Sequence, residues 1–565
     1  MIIREHITFY GFFTKYSLLD NYGFINGLFS RILLKILPDA IAEKSIEHKI
    51  QLLKTENGEV PIDTFMSFVE TDNPLLKKEL SYSIISLSSK IAAFGLDKRI
   101  KEKFELLSLD AGLFPKLSNY CAQVQDLPQE EITTLIANIK TTLEKFRKEK
   151  INIGTSIHLT YKTRLVIKFL DRLSLLVRLS YNIKSELVWN LLIQDYNTEY
   201  RNHRSLFSYV KYHFDLLLLQ IVEHTSYQGE KYVAANRTEH TRILLKSMKA
   251  GVVISIFACC KLFLDQMGMS AAKSAFVYGL NYALCFVVVK EIGGIIATKQ
   301  PAMTASTIAK KIDRNNNKKI DNPQDAIGMI KDVFKSQSVS LLGNVIVVIP
   351  CSFILISALK QMNVTLIQNQ KHINYLQSGL DPSEWTNLYY AAIAGVFLSM
   401  SGLFAGFVDN RIIFSQFNKR FIAIRPLNKV FSRSTLQIMA DKISKNTGAH
   451  LGNIFLGLLL GGAFLIGKLT GFPFDIRHIA FSGSYLGGLI STETLSLYGF
   501  LFLFIGVSTI GLVNFISSFS LTLLITFKTR GITFQELLNI SSKLAIDFVK
   551  NPTSYLYFKK EPTIT

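Results

Sequence analysis

NYALCFVVVKEIGGIIATKQPAMTASTIAKKI, residues Asn281 to Ile312, is the stretch whose reading decides the fold. It opens inside a long apolar run, passes Lys290 and Glu291, loosens at Gly293 and Gly294, and meets Pro301 before a polar stretch. Proline lacks a backbone donor and drives the residue before it, Gln300, out of the helical region, so a membrane helix is expected to stop near Lys299. Pro301 suits the first position of a new helix, and 302–312 reads as its continuation. Free amides at that start, beside Thr298, Lys299 and Thr304, favour an anion at the lipid boundary. A boundary turn with a snorkelling lysine accounts for the same residues.

The rest of the chain agrees with a membrane reading. Of 565 residues, 48% are hydrophobic, yet the formal charge is +20. Mean hydropathy is +0.25. A basic balance serves nucleic acid or anionic lipid, and this hydropathy puts lipid first. Five cysteines show no CxxC spacing and four of them lie in apolar stretches, so neither a zinc site nor a disulfide scaffold is expected. No secretory signal pattern is visible at the start.

Residues 1–247 carry no apolar run long enough to span a bilayer and read as a helical cytoplasmic domain. Leucines at three and four residue spacing across Val166–Tyr196, with Arg172, Arg178 and Lys184 between them, predict one helix burying one face. His203, His213, His224 and His240 fall in a neck before the membrane, but the H-E-x-x-H pattern is missing and no metal is expected.

From 248 to 530 six apolar segments, at about 251–267, 275–298, 339–359, 388–408, 451–469 and 496–526, approach or exceed the length that crosses a bilayer. The last is long enough to tilt, to kink near Gly511, or to protrude. Lysines and arginines crowd 299–338 and 409–447, whereas 360–387 has only Lys360 and Lys371. Positive loops stay inside, so both termini, including the 531–565 tail, are expected in the cytoplasm. The fold class is therefore all-α: a helical domain, then a six-span bundle.

Charges within spans are the first functional candidates, because ionisable groups there are costly and face a partner or a wet cavity. Lys261 and Asp265 lie one turn apart in the first span, Lys290 and Glu291 lie in the second, and the four are expected to form one cluster. A structural ion pair between helices explains them as well. Between the fifth and sixth spans, GFPFDIRHIAFSGSYLGGLIST is too polar to span and too apolar for a loop. It reads as a re-entrant or an interfacial segment on the outer side, with Asp475, Arg477 and His478 as a polar cluster. Asp313, Asn315, Asn317 and Asp321 suggest a calcium loop, but Lys318 and Gln324 occupy positions that need glycine and glutamate.

NYALCFVVVKEIGGIIATKQPAMTA (281–305), VDNR (408–411), GFPFDIRHIAFS (471–482) and GLVNFISSFSLTLLITFKTRG (511–531) resemble a family of bacterial multi-pass membrane proteins named site-specific recombinase. GFINGLFSRILLKILP and VEHTSYQGEKYV (222–233), which holds the neck candidates His224 and Glu230, extend the resemblance over most of the chain. The name itself implies DNA strand exchange. A tyrosine recombinase uses an H-x-x-R element, and none of the ten histidines has arginine three residues on. A serine recombinase uses an α/β catalytic domain, and the N-terminal region reads as helix.

The expected function is that of a bacterial inner-membrane protein handling or transporting an anionic lipid or small solute. Membrane lipid is the expected partner, with no cofactor and no specific nucleic acid. The alternatives are a non-catalytic scaffold recruiting a cytoplasmic protein, and the recombinase of the family name.

Overall fold

The computed structural model describes residues 74–124, 126–149, 154, 157–192, 194–195, 210–211, 215, 218, 237–296, 323–492, 495–529 and 534–555. Thr298, Lys299, Gln300, Pro301 and Thr304, and the neck residues His203, His213, His224 and Glu230, lie outside the described residues. The chain divides into two compact units, Met1–Leu217 and Leu218–Thr565, and among the described residues every regular element is helical.

In the first unit, α1 (Pro74–Leu96) packs against α3 (Leu113–Ala122) and α5 (Ile157–Tyr181), while α4 (Gln129–Glu149) joins α3 and α5. Leu80, Ile84, Leu87 and Ile91 recur every three or four residues on α1 and are all buried, which is the stripe a core-facing helix needs. Between α1 and α3, α2 (Lys98–Leu106) is capped by Asp97, whose carboxylate accepts the Arg99 amide at 3.0 Å. Phe104 stacks on Phe146 at 4.7 Å between centroids, and Phe94 meets Phe114 at 5.4 Å.

The single helix expected over Val166–Tyr196 is two. Helix α5 ends at Tyr181, the chain turns at 182–185, and the Trp189 indole donates to the Ile183 carbonyl at 2.9 Å. Val188, Trp189 and Leu192 beyond the turn are buried like the leucines before it, so the spacing alone does not reveal the break. Arg172, expected on the polar side, is 2% exposed and bonds Asp195 at 3.2 Å.

Among the described residues of the second unit, six helices are long and apolar enough to cross a membrane: α6 (Arg237–Asp265), α7 (Ala271–Glu291), α8 (Pro323–Gln361), α10 (Trp385–Phe414), α13 (Arg433–Thr470) and α15 (Leu497–Thr529). Short helices α9 (Gln370–Ser378), α11 (Phe417–Ile422), α12 (Arg425–Val430) and α14 (Ile479–Ile490) lie between them, and α16 (Phe534–Lys550) follows. Each expected span overlaps one of the six. The expected domain border at 247/248 falls inside α6, which runs unbroken from its polar first turns into its apolar part.

The second span ends earlier than expected. Helix α7 stops at Glu291, where Gly293 takes a φ of +71° and the Gly294 amide closes on the Val289 carbonyl at 2.8 Å. A glycine in the left-handed region terminates a helix without strain, so the break comes before proline is reached. The Ile295 amide then bonds the Lys246 carbonyl at 3.2 Å and folds the chain back on α6.

Lipid offers no hydrophobic drive between helices, so close packing and interhelical hydrogen bonds must hold the bundle. Both are present. Exposed Phe276, Leu280 and Leu284 line the outside of α7, while Ala275, Gly279 and Ala283 meet Gly457 and Gly461 of α13. Ser247 bonds Ser340 at 2.7 Å between α6 and α8, Ser399 bonds Thr522 at 2.7 Å between α10 and α15, and Asn453 donates to the Phe286 carbonyl at 2.8 Å. A Cβ added at Gly461 would overlap the Gly279 backbone, whereas one at neighbouring Gly462 meets nothing within 4 Å. Gly461→Ala is therefore expected to lower stability by about 1–3 kcal/mol, the usual cost of overpacking, and Gly462→Ala to leave it unchanged or raise it. Thermal unfolding of both variants in detergent checks this.

Candidate functional site

The segment after α13 forms the site. Gly471, at φ +72°, closes α13 with its amide on the Gly467 carbonyl at 3.0 Å, and residues 472–474 lie back against Gly467. The chain then turns inward. Asp475 accepts the Ile476 amide at 2.8 Å and the Arg477 Nη1 at 2.8 Å, and Arg477 Nε donates to the Gly379 carbonyl at 3.2 Å. The Arg477 guanidinium lies 5.3 Å from the Tyr390 ring centre. His478 packs its ring on Phe286 at 5.9 Å. Phe286 stands fifteen residues into α7, roughly 22 Å along its axis, so this point is deep in the bundle.

There α14 begins. Its residues are buried except Tyr485 and Ile490, and it runs in the direction of α8, with Gly483 beside Val348, Gly487 beside Ile349 and Gly488 beside Ile356. Since α8 heads toward the end of the bundle where α13 stopped, 471–490 enters and leaves at one end. It is re-entrant, and the interfacial alternative does not hold. Asn514 of α15 secures the turn: its Oδ1 accepts the Ile479 amide at 3.1 Å, and its Nδ2 donates to the carbonyls of Ala391 at 2.7 Å and Arg477 at 2.9 Å.

Above this turn lies a cavity of about 600 Å³. Its floor is Tyr282, His478 and Phe481, all buried, and its rim includes exposed Gln368, Asn369, Lys371 and Lys468. On its wall Lys261 bonds Asp265 at 3.3 Å and stands 5.0 Å from the Tyr278 ring centre and 5.6 Å from that of Tyr485. Arg477, Asp475 and Tyr375 complete the charged and aromatic lining. His372 also faces it, and burial holds its imidazole below the ordinary value, so it is neutral at pH 7.

The expected four-charge cluster is thus divided. Helices α6 and α7 are antiparallel, and Lys261 stands level with Tyr278, whereas Glu291 ends α7 thirteen residues further on, roughly 20 Å away along the axis. Glu291 instead bonds His450 at 2.7 Å at the far end, and Lys290 is next to it in sequence. What the fold joins is a pair of groups read separately: Lys261 with Asp265, and Asp475 with Arg477 and His478. Tyr278, Tyr282, Tyr375 and Tyr485 in the lining and Asn514 at the turn are not among the candidates the sequence offers. The signals were present: tyrosines one turn apart on α7, and a lone asparagine in an apolar run.

Six spans around a re-entrant half-helix define a multi-pass membrane protein with a polar cavity at one end of its bundle. The family model described as "Site-specific recombinase" matches residues 2–557, and the chain belongs to that family. No curated protein matches the chain, and no solved structure does.

Asn514→Leu would leave the Ile479 amide and the Arg477 carbonyl buried without these bonds, at about 1–3 kcal/mol for each group. The variant is expected to melt at lower temperature than wild type and to become sensitive to protease within 471–490, as limited proteolysis in detergent would show.

Proposed function

We propose that this protein binds an anionic solute or lipid headgroup in the cavity over the re-entrant segment and handles or transports it at a bacterial inner membrane. The observation that carries this reading is the convergence of Lys261–Asp265 with Asp475–Arg477 on one cavity, floored by a half-helix that starts deep in the bundle. Broken helices at such depth are how transporters expose backbone and charge to a substrate. Charged groups are kept inside a bundle where they pair or line a wet space.

On the loop charges, the cavity faces outward and both termini lie in the cytoplasm. The 298–304 junction stays in this reading, on sequence grounds, as the anion contact of the cytoplasmic side. Membrane lipid is the proposed partner, with a cytoplasmic protein as the partner in the scaffold reading. The family description favours DNA recombination as another reading. Basic residues such as Lys419, Arg420 and Arg425 would serve it, but positive-inside topology already accounts for them. DNA strand cleavage by the purified protein would restore it.

In a deletion strain, Asp475→Ala and Arg477→Ala are expected to abolish complementation while the protein still inserts, and full complementation by both would remove the cavity from the function. For orientation, Lys371→Cys in a cysteine-free background is expected to react with an impermeant maleimide on intact cells, and Lys429→Cys only after permeabilisation. The reverse pattern would invert the topology.

A further inference from the structure

The proposed function leaves open whether the ligand is a lipid or a soluble molecule, and the walls of the cavity bear on that choice. A lipid headgroup could enter the bundle only through a gap between helices that lets its chains stay outside. The α7–α13 wall has no such gap beside the cavity: Gly461, which lines the cavity, lies so close to Ala275 and Gly279 that a Cβ would overlap their backbone. The floor is shut by Tyr282, His478 and Phe481, and the side of the re-entrant segment by α14, whose Gly487 meets the α8 backbone at Ile349. Polar, exposed Gln368, Asn369 and Lys371 form the rim. Trp385 and Tyr389, 67% and 41% exposed at the start of α10, and Tyr498, 79% exposed at the start of α15, mark the headgroup level at this same end. The mouth therefore opens to water beside that layer.

The lining selects charge as well. Lys261, Lys371, Lys468 and Arg477 face Asp265 and Asp475, a surplus of cations, and His372 adds none. Arg477 spends Nε and Nη1 on Gly379, Asp475 and Ile476, and among the described residues none accepts from Nη2. Lys261 stands 5.6 Å from the Tyr485 ring centre, and Tyr375 and Tyr485 line the same cavity as both cations.

We infer that the cavity takes a water-soluble organic phosphate or carboxylate from the aqueous end of the bundle, with its acid group at Arg477 and Lys261 and its body against Tyr278, Tyr375 and Tyr485. This rests on the anion-binding reading above and excludes the lipid half of it.

Two probes that share one headgroup test this: glycerol 3-phosphate in solution, and phosphatidylglycerol in nanodiscs against nanodiscs of phosphatidylcholine. Purified full-length protein is expected to gain thermal stability with glycerol 3-phosphate and none from phosphatidylglycerol. Arg477→Gln should weaken the soluble interaction by about tenfold or more, as loss of a charge-assisted hydrogen bond does. Because Arg477 also holds Gly379, Lys371→Gln combined with Lys468→Gln gives a second arm. Both residues are exposed at the rim, so the pair should melt like wild type without ligand, bind more weakly, and lose salt dependence. Stabilisation by phosphatidylglycerol alone, cancelled by these variants, would overturn the soluble ligand and keep the anion site. Stabilisation by neither probe would overturn both.

Discussion

The Asn514 side chain is the contact on which the second unit depends. A chain that turns back inside a membrane bundle exposes backbone amides and carbonyls where no water reaches them, and each would cost several kcal/mol unpaired. Asn514 offers one acceptor and two donors, and all three are used: for the first amide of α14, for the carbonyl before it, and for a carbonyl of α10. One side chain thereby ties three segments together at the depth where the re-entrant turn is most exposed to this penalty. Removal of that amide would leave α14 without a fixed start and the cavity without a fixed floor.

The glycines make room for this arrangement. In water, helices are driven together by their apolar faces; in lipid they hold by fit, and fit is tightest where side chains are smallest. Gly457 and Gly461 bring α13 onto α7, Gly395 brings α10 onto α15, and Gly487 brings α14 onto α8. These approaches also bring polar groups within reach, as in the Ser352–Ser484 bond at 2.6 Å between α8 and α14. The outside of the bundle is apolar, and its inside combines these small and polar contacts with large buried side chains such as Phe286, Leu456 and Phe481, whereas in the first unit Phe104, Phe114 and Phe146 fill the centre.

Hydropathy made the six spans legible, because length and apolarity are local properties of a chain. Depth was less legible. Lys261 and Glu291 both fall inside apolar runs, yet Lys261 is level with Tyr278 while Glu291 closes α7, so the fold sets them at different depths. Pro301 is the stronger helix breaker in the sequence, yet Gly293 with its positive φ ends α7 first. Segment 471–490 looked unusual in sequence, but only the neighbours of Gly483 and Gly488 reveal that it dives inward. That Lys261 and Arg477 share a cavity is a fact of tertiary structure, more than two hundred residues apart in the chain, and no local spacing encodes it.

The pairing inside the cavity bears on how the proposed site would select a ligand. An isolated ion taken from water costs several kcal/mol, and a carboxylate close by offsets much of that. Lys261 has Asp265 and Arg477 has Asp475, so neither cation needs a ligand in order to be tolerated. Under the proposed reading an incoming acid would gain from the remaining donors and from the rings rather than from rescue of an orphaned charge, which favours discrimination over tight binding. The surplus is carried by Lys371 and Lys468 at the rim. There, under the proposed reading, it would draw anions toward the mouth over a range of about 8 Å in physiological salt, leaving the choice among them to the paired charges and tyrosines below.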